Sequence, residues 1–164
     1  TSTQTSMMAL ASGTGVGAYE QLGGALAMNA TSLVIGSPLF SSSANLTAQG
    51  IAYLYNLETP GAPTVVTAPG PGTRDRFGAS VSLIAGSGSI ADTLLIGAPG
   101  RNQAFVYSND LTQWRQAATL DAPAESSRAA FGAAVATAGN QHIVGTRGLM
   151  QDVGVAYYFG SADN

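Results

Sequence analysis

Few residues in this chain could carry chemistry, and they do not form a constellation. His142 is the only histidine among 164 residues. A general base needs a partner within hydrogen-bond reach, and nothing in the sequence supplies one. With no cysteine there is no thiol nucleophile, thiolate metal site or disulfide framework. The Gly-x-Ser-x-Gly elbow, the phosphate-binding loop and the His-Glu-x-x-His zinc helix are all absent. Asp75, Asp121 and Glu125 could pair across strands as glycosidase carboxylates do, but their spacing does not set them apart from solvated loop residues. Without a nucleophile, base and orienting group, the expectation is a protein that is not an enzyme and uses no cofactor.

Composition narrows the partners. All six basic residues are arginine, set against nine acidic ones, for a formal net charge of −3, and charged residues make up only 9% of the chain. Such a balance argues against nucleic acid. No apolar run approaches a membrane span, and no basic segment followed by an apolar one opens the chain, so membrane insertion is not expected. The 21 glycines and short apolar runs rich in Val, Ile, Leu and Tyr favour β structure in one domain with a real core.

The elements that would position any site come from a phrase written three times. Its middle copy reads Asp75-Arg76-Phe77-Gly78-Ala79-Ser80-Val81, then Leu94-Leu95-Ile96-Gly97-Ala98-Pro99, then Gln103-Ala104-Phe105-Val106-Tyr107. The copy before it has Leu22-Gly23-Gly24, Leu33-Val34-Ile35-Gly36-Ser37-Pro38 and Ile51-Ala52-Tyr53-Leu54-Tyr55. The copy after it has Phe131-Gly132-Ala133, His142-Ile143-Val144-Gly145-Thr146-Arg147 and Val155-Ala156-Tyr157-Tyr158-Phe159. Gly23, Gly78 and Gly132 lie 55 and 54 residues apart, a fixed period that marks a repeat architecture. His142 stands where the sister copies have Leu33 and Leu94, which suits a packed or edge histidine.

The Phe77-Gly78 pair, the Gly97-Ala98-Pro99 run and the Trp114-x-Gln116-x-Ala118 run resemble the FG-GAP repeat, the blade unit of integrin alpha-type β-propellers. The resemblance spans almost the whole chain, with Leu22, Ser37 and Thr146-Arg147 as departures in the outer copies. It implies an all-β fold of four-stranded antiparallel blades, an extracellular or cell-surface location, and ligand contact through one loop face. The family's Asp-rich calcium loop has no counterpart: the middle copy offers only Asp92 there, and the outer copies shorten to Asn29-Ala30-Thr31 and Gly139-Asn140. Tight turns and no metal are expected instead.

In the middle copy the strands fall at about 78–84, 93–97, 103–108 and 115–120. The first strand is Gly-, Ala- and Ser-rich, as a crowded central axis would require. The chain then divides into a fourth-strand equivalent at 5–11, repeat one at 22–67, repeat two at 77–120 and a three-stranded repeat three at 131–159, all within one domain. Three blades are fewer than the usual four to eight. The expectation is a homodimer that completes a six-blade ring, the strand at 5–11 of each copy finishing the other's last blade. A longer native chain and a three-blade ring are the competing readings.

Strands alternate in direction, so the connections from strand four to one and from strand two to three emerge on one face. Arg74, Arg76 and Arg128 lie in the first class, Arg101 and Arg147 in the second, leaving only Arg115 opposite. These five arginines are the candidate ligand-binding residues. Asp75, Asp121, Glu125 and Asp152 map to the same face, so a mixed solvated surface is the plainer reading, and Asp75 itself reads as a turn-capping acceptor. Two glycosylation patterns, Asn29-Ala30-Thr31 and Asn45-Leu46-Thr47, decide nothing alone in so Ser/Thr-rich a chain. Two functions remain: a non-enzymatic extracellular adhesion module that binds a protein or glycan through this face, or a structural unit whose role is self-assembly.

Overall fold

A computed structural model describes residues 19–59, 61–87, 91–110, 113–124, 129–148 and 154–160. Eleven strands in three antiparallel sheets account for nearly all of the regular structure in these residues. The first sheet is β1 (Ala25–Met28), β2 (Ser32–Ser37), β3 (Ile51–Asn56) and β4 (Thr64–Val66), and the second is β5 (Ser80–Ile84), β6 (Asp92–Ala98), β7 (Gln103–Asn109) and β8 (Trp114–Asp121). The third holds β9 (Ala134–Ala138), β10 (Gln141–Gly145) and β11 (Ala156–Phe159). Each is a meander, its strands hydrogen-bonded in chain order. The middle four strands match their sequence positions to within two residues at every end. The expected strand at 5–11 lies outside the described residues.

Side-chain alternation explains why the second sheet sits in the middle. Its register places Val81 and Phe105 beside Ile96, and Leu83 and Tyr107 beside Leu94, all on one face. These residues pack against Val34, Ala52, Leu54 and Val66 of the first sheet, with Phe77 fully buried among them. The other face carries Leu95, Ala104 and Val106, which pack with Phe131 against Val144 of the third sheet. A strand buried on both faces must be apolar at every position, so β6 reads as an unbroken run from Leu94 to Ala98.

The first strand of each sheet lies innermost. β5 packs between β1 and β9, which do not adjoin one another, and no closed ring is formed among the described residues. Small residues are needed because backbones nearly touch. A Cβ added to Gly36 would meet the Gly78 carbonyl, and one added to Gly97 would meet the Gly132 carbonyl. Serines on β5 reinforce this junction: Ser80 Oγ donates to Gly132 O at 2.8 Å, and Ser82 Oγ accepts the Thr137 N–H at 3.1 Å.

Leu22-Gly23, Phe77-Gly78 and Phe131-Gly132 make the same turn. Gln21 O accepts from Gly24 N, Arg76 O from Ala79 N, and Ala130 O from Ala133 N, at 2.9–3.1 Å. The glycines at the third position have φ of +87°, +85° and +92°, as a type II turn requires. Phe77 or Phe131 at the second position is thereby driven into the core, while Gln21 and Arg76 at the first position are exposed and Ala130 is half-buried.

Candidate functional site

The turns before β1, β5 and β9 meet the turns after β2, β6 and β10 at one end of the molecule. Backbone bonds tie them together: Leu39 N donates to Glu20 O at 3.1 Å, Gly100 N to Asp75 O at 3.1 Å, and Phe77 N to Gln49 O at 3.0 Å. The two classes of connection therefore share a face, as strand alternation implies. Between them opens a cleft of about 450 Å³, a volume that suits a side chain or small ligand.

Equivalent positions of all three repeats line the cleft. The first-position turn residues are Gln21, Arg76 and Ala130, and the residues after each turn glycine are Gly24, Ala79 and Ala133. Pro38, Pro99 and Arg147, each at the end of a second-strand motif, complete the wall with Leu39. Gln21, Arg76 and Ala130 all hold left-handed backbones, with φ of +54°, +55° and +52°. Such conformations cost about 1–2 kcal/mol for a residue with a Cβ, and here the i to i+3 bonds of the turns hold them in place.

Arg76 and Arg147 are the charged residues of this lining, and both are exposed. Among the described residues neither takes part in an ion pair. The lining presents guanidinium and amide donors over apolar Pro, Leu and Ala surface, with no carboxylate, imidazole or hydroxyl side chain among the described residues. A guanidinium fork matches a carboxylate or sulfate in two parallel hydrogen bonds, so such a group is chemically suited to this lining.

The remaining candidate arginines do other things. Arg101 donates to the carbonyls of Pro69 and Gly70 at 2.8 and 3.0 Å, lies 3.6 Å from Asp75 Oδ2, and sits 5.8 Å above the Phe105 ring. Its guanidinium is a structural clamp outside the cleft wall. Arg74 is exposed at the same end of the molecule, bonded through its backbone N–H to Thr47 O, but does not line the cleft. Arg128, Glu125 and Asp152 lie outside the described residues. Asp75 is buried and accepts the Gly72 N–H at 2.6 Å, the turn-capping role read from its position. Asp121 accepts from Gln103 Nε2 at 2.6 Å. Arg115 pairs with Asp110 at 3.1 Å, on the exposed side chains between β7 and β8 at the opposite end.

His142 is half-buried on the face of β10 that meets the second sheet, with Nδ1 2.8 Å from Thr137 Oγ1. Burial lowers its pKa, as expected of a packed histidine. The loop carboxylate Asp92 accepts the Gly86 N–H at 2.8 Å, and Asn29 Oδ1 accepts the N–H groups of Thr31 and Ser32 at 3.0 and 2.7 Å. No helix among the described residues is long and apolar enough to cross a membrane.

Sequence reasoning missed the uncharged part of the cleft, among it Gln21, Leu39, Ala79 and Ala133. The signal was present: these positions are copies of, or neighbours to, the positions of Arg76 and Arg147 in the repeat. No model of a known protein family matches the chain, and no curated protein matches it.

Proposed function

We propose that the chain is a non-enzymatic binding module of the FG-GAP propeller kind, extracellular or cell-surface, that engages a carboxylate- or sulfate-bearing protein or glycan through the arginine cleft. The observation that carries this reading is the placement of Arg76 and Arg147, from two successive repeats, on one cleft wall whose described lining residues include no carboxylate. The middle repeat carries the FG-GAP pattern and the outer two depart from it at Leu22, Ser37 and Thr146-Arg147; the turn glycine of every repeat has the same positive φ, and Gly36 and Gly97 make the same close approach to the next turn, which supports treating the sheets as propeller blades. The end that bears the cleft is the one that integrin-type propellers use for ligands.

Binding is tested by titrating a polyglutamate peptide, a sulfated glycan and a sialylated glycan in separate arms. At least one should bind, and the Arg76→Ala/Arg147→Ala double variant should weaken it about tenfold or more, the loss of about 1.5–3 kcal/mol expected for charge-assisted hydrogen bonds. Equal binding by wild type and variant, or no binding in any arm, would overturn the reading.

A further inference from the structure

Two stretches match the acceptor pattern for N-linked glycosylation, Asn29-Ala30-Thr31 and Asn45-Leu46-Thr47, and their surroundings separate them. The pattern asks for an amide nitrogen and, two residues on, a hydroxyl, both on a surface that a transferase can reach. Asn29 does not meet this. Its Oδ1 accepts the Thr31 and Ser32 N–H groups at 3.0 and 2.7 Å, closing the turn between β1 and β2, and also accepts the Thr31 hydroxyl at 3.2 Å. Asn29 Nδ2, the atom a glycan would occupy, is buried.

Asn45 and Thr47 have the opposite surroundings. Residues 38–50 connect β2 to β3, where residues 99–102 suffice between β6 and β7, so the first repeat carries a longer loop than the repeat itself requires. Its base is fixed by local bonds: Leu46 N donates to Ser43 O at 3.2 Å, Ala48 N to Ser41 Oγ at 2.9 Å, and Ser42 Oγ to the buried Gln49 at 2.8 Å. Residues 42–45 and Thr47 are exposed. Asn45 and Thr47 are held through their backbone carbonyls, which accept from Thr73 Oγ1 at 3.0 Å and from Arg74 N at 2.8 Å. Among the described residues, no hydrogen bond is made by the Asn45 amide or the Thr47 hydroxyl. The loop is therefore ordered without using either group that the transfer needs.

We infer that Asn45 is an N-glycan acceptor and that Asn29 is not, an inference that rests on the extracellular reading above. The donor is a lipid-linked oligosaccharide diphosphate, brought by an oligosaccharyl transferase. The Asn45 amide nitrogen forms a C–N bond to the anomeric carbon as the C–O bond to the diphosphate breaks. The diphosphate leaves with that electron pair, and the amide proton passes to a base of the transferase. The glycan stands beside Thr73 and Arg74 at the cleft end of the molecule, outside the residues that line the cleft.

The full chain is secreted from eukaryotic cells, and its mass is measured before and after peptide N-glycosidase, which releases the glycan and converts the modified asparagine to aspartate. Wild type should lose the mass of a single glycan, with peptide mapping finding the conversion at Asn45 and not at Asn29. Asn45→Gln and Thr47→Ala should each abolish the mass shift, while Thr47→Ser, which keeps the hydroxyl, should retain it. Both abolishing changes fall on exposed, unbonded side chains, and unchanged melting temperatures show that the variants fold. A wild type without a glycan, a glycan at Asn29, or a shift that persists in Asn45→Gln or Thr47→Ala would overturn the proposal. The ligand titrations use unglycosylated chain made in bacteria, so failure there and failure here are read separately.

Discussion

At the scale of single residues, partners decide role. Arg101 and Arg76 belong to the same face and were indistinguishable in sequence. One reaches two carbonyls, a carboxylate and a phenyl ring, while the other stands exposed on a cleft wall. Strand alternation made the shared face legible, but side-chain partners depend on the local backbone, so the division of labour was not. Arg101→Ala should therefore lower thermal stability by about 1 kcal/mol, through lost hydrogen bonds to the Pro69 and Gly70 carbonyls, whereas Arg76→Ala should leave the melting temperature nearly unchanged. Paired thermal melts compare them. His142 adds a pH dependence. Its imidazole titrates below 6.5 in the fold and near 6.5 in the unfolded chain, so the unfolded state takes up the proton first as pH falls. The contribution of His142 is complete above about pH 6.5 and is lost progressively below it. His142→Leu, which restores the residue of the sister repeats, should flatten the decline in melting temperature below about pH 6.5, and an unaltered decline would show that other groups cause it.

At the scale of elements, the Phe-Gly turn and the glycine junction explain why the repeat has its spelling. The aromatic fills the space between two sheets: Phe77 lies 5.7 Å from Phe105 and 6.3 Å from Tyr107, and Phe131 lies 5.9 Å from Tyr157 and 6.0 Å from Phe159, ring centre to ring centre. Phe77→Ala should cost about 3–5 kcal/mol in denaturant melts, the range for emptying a buried aromatic site. A loss under about 1 kcal/mol would place the core elsewhere. Strand positions were legible because apolar alternation and turn glycines agree in every copy. The Gly97 to Gly132 contact was not, since it joins backbones from different sheets and leaves no periodic trace. Loops between first and second strands close on single side chains, Asn29 in the first sheet and Asp92 in the second. Melts in EDTA and in excess calcium should coincide, and a shift of several degrees would reveal a metal site.

At the scale of the whole molecule, three sheets fan from a common line so that one end gathers the cleft and the other gathers the hairpins that follow β1, β3, β5, β7 and β9. The repeat period made this arrangement readable before any coordinates, while the cleft itself emerged only once three sets of equivalent positions were seen to converge. The central claim is that ligand contact belongs to the cleft end. Backbone amide NMR of the 15N-labelled protein during separate titrations with polyglutamate, a sulfated glycan and a sialylated glycan tests it most directly. The account predicts that shifts gather at Gln21, Gly24, Arg76, Ala79, Ala133 and Arg147 and spare Asn56, Asp110 and Arg115. Shifts centred on Asn56, Asp110 and Arg115, or spectra unchanged throughout, would contradict it.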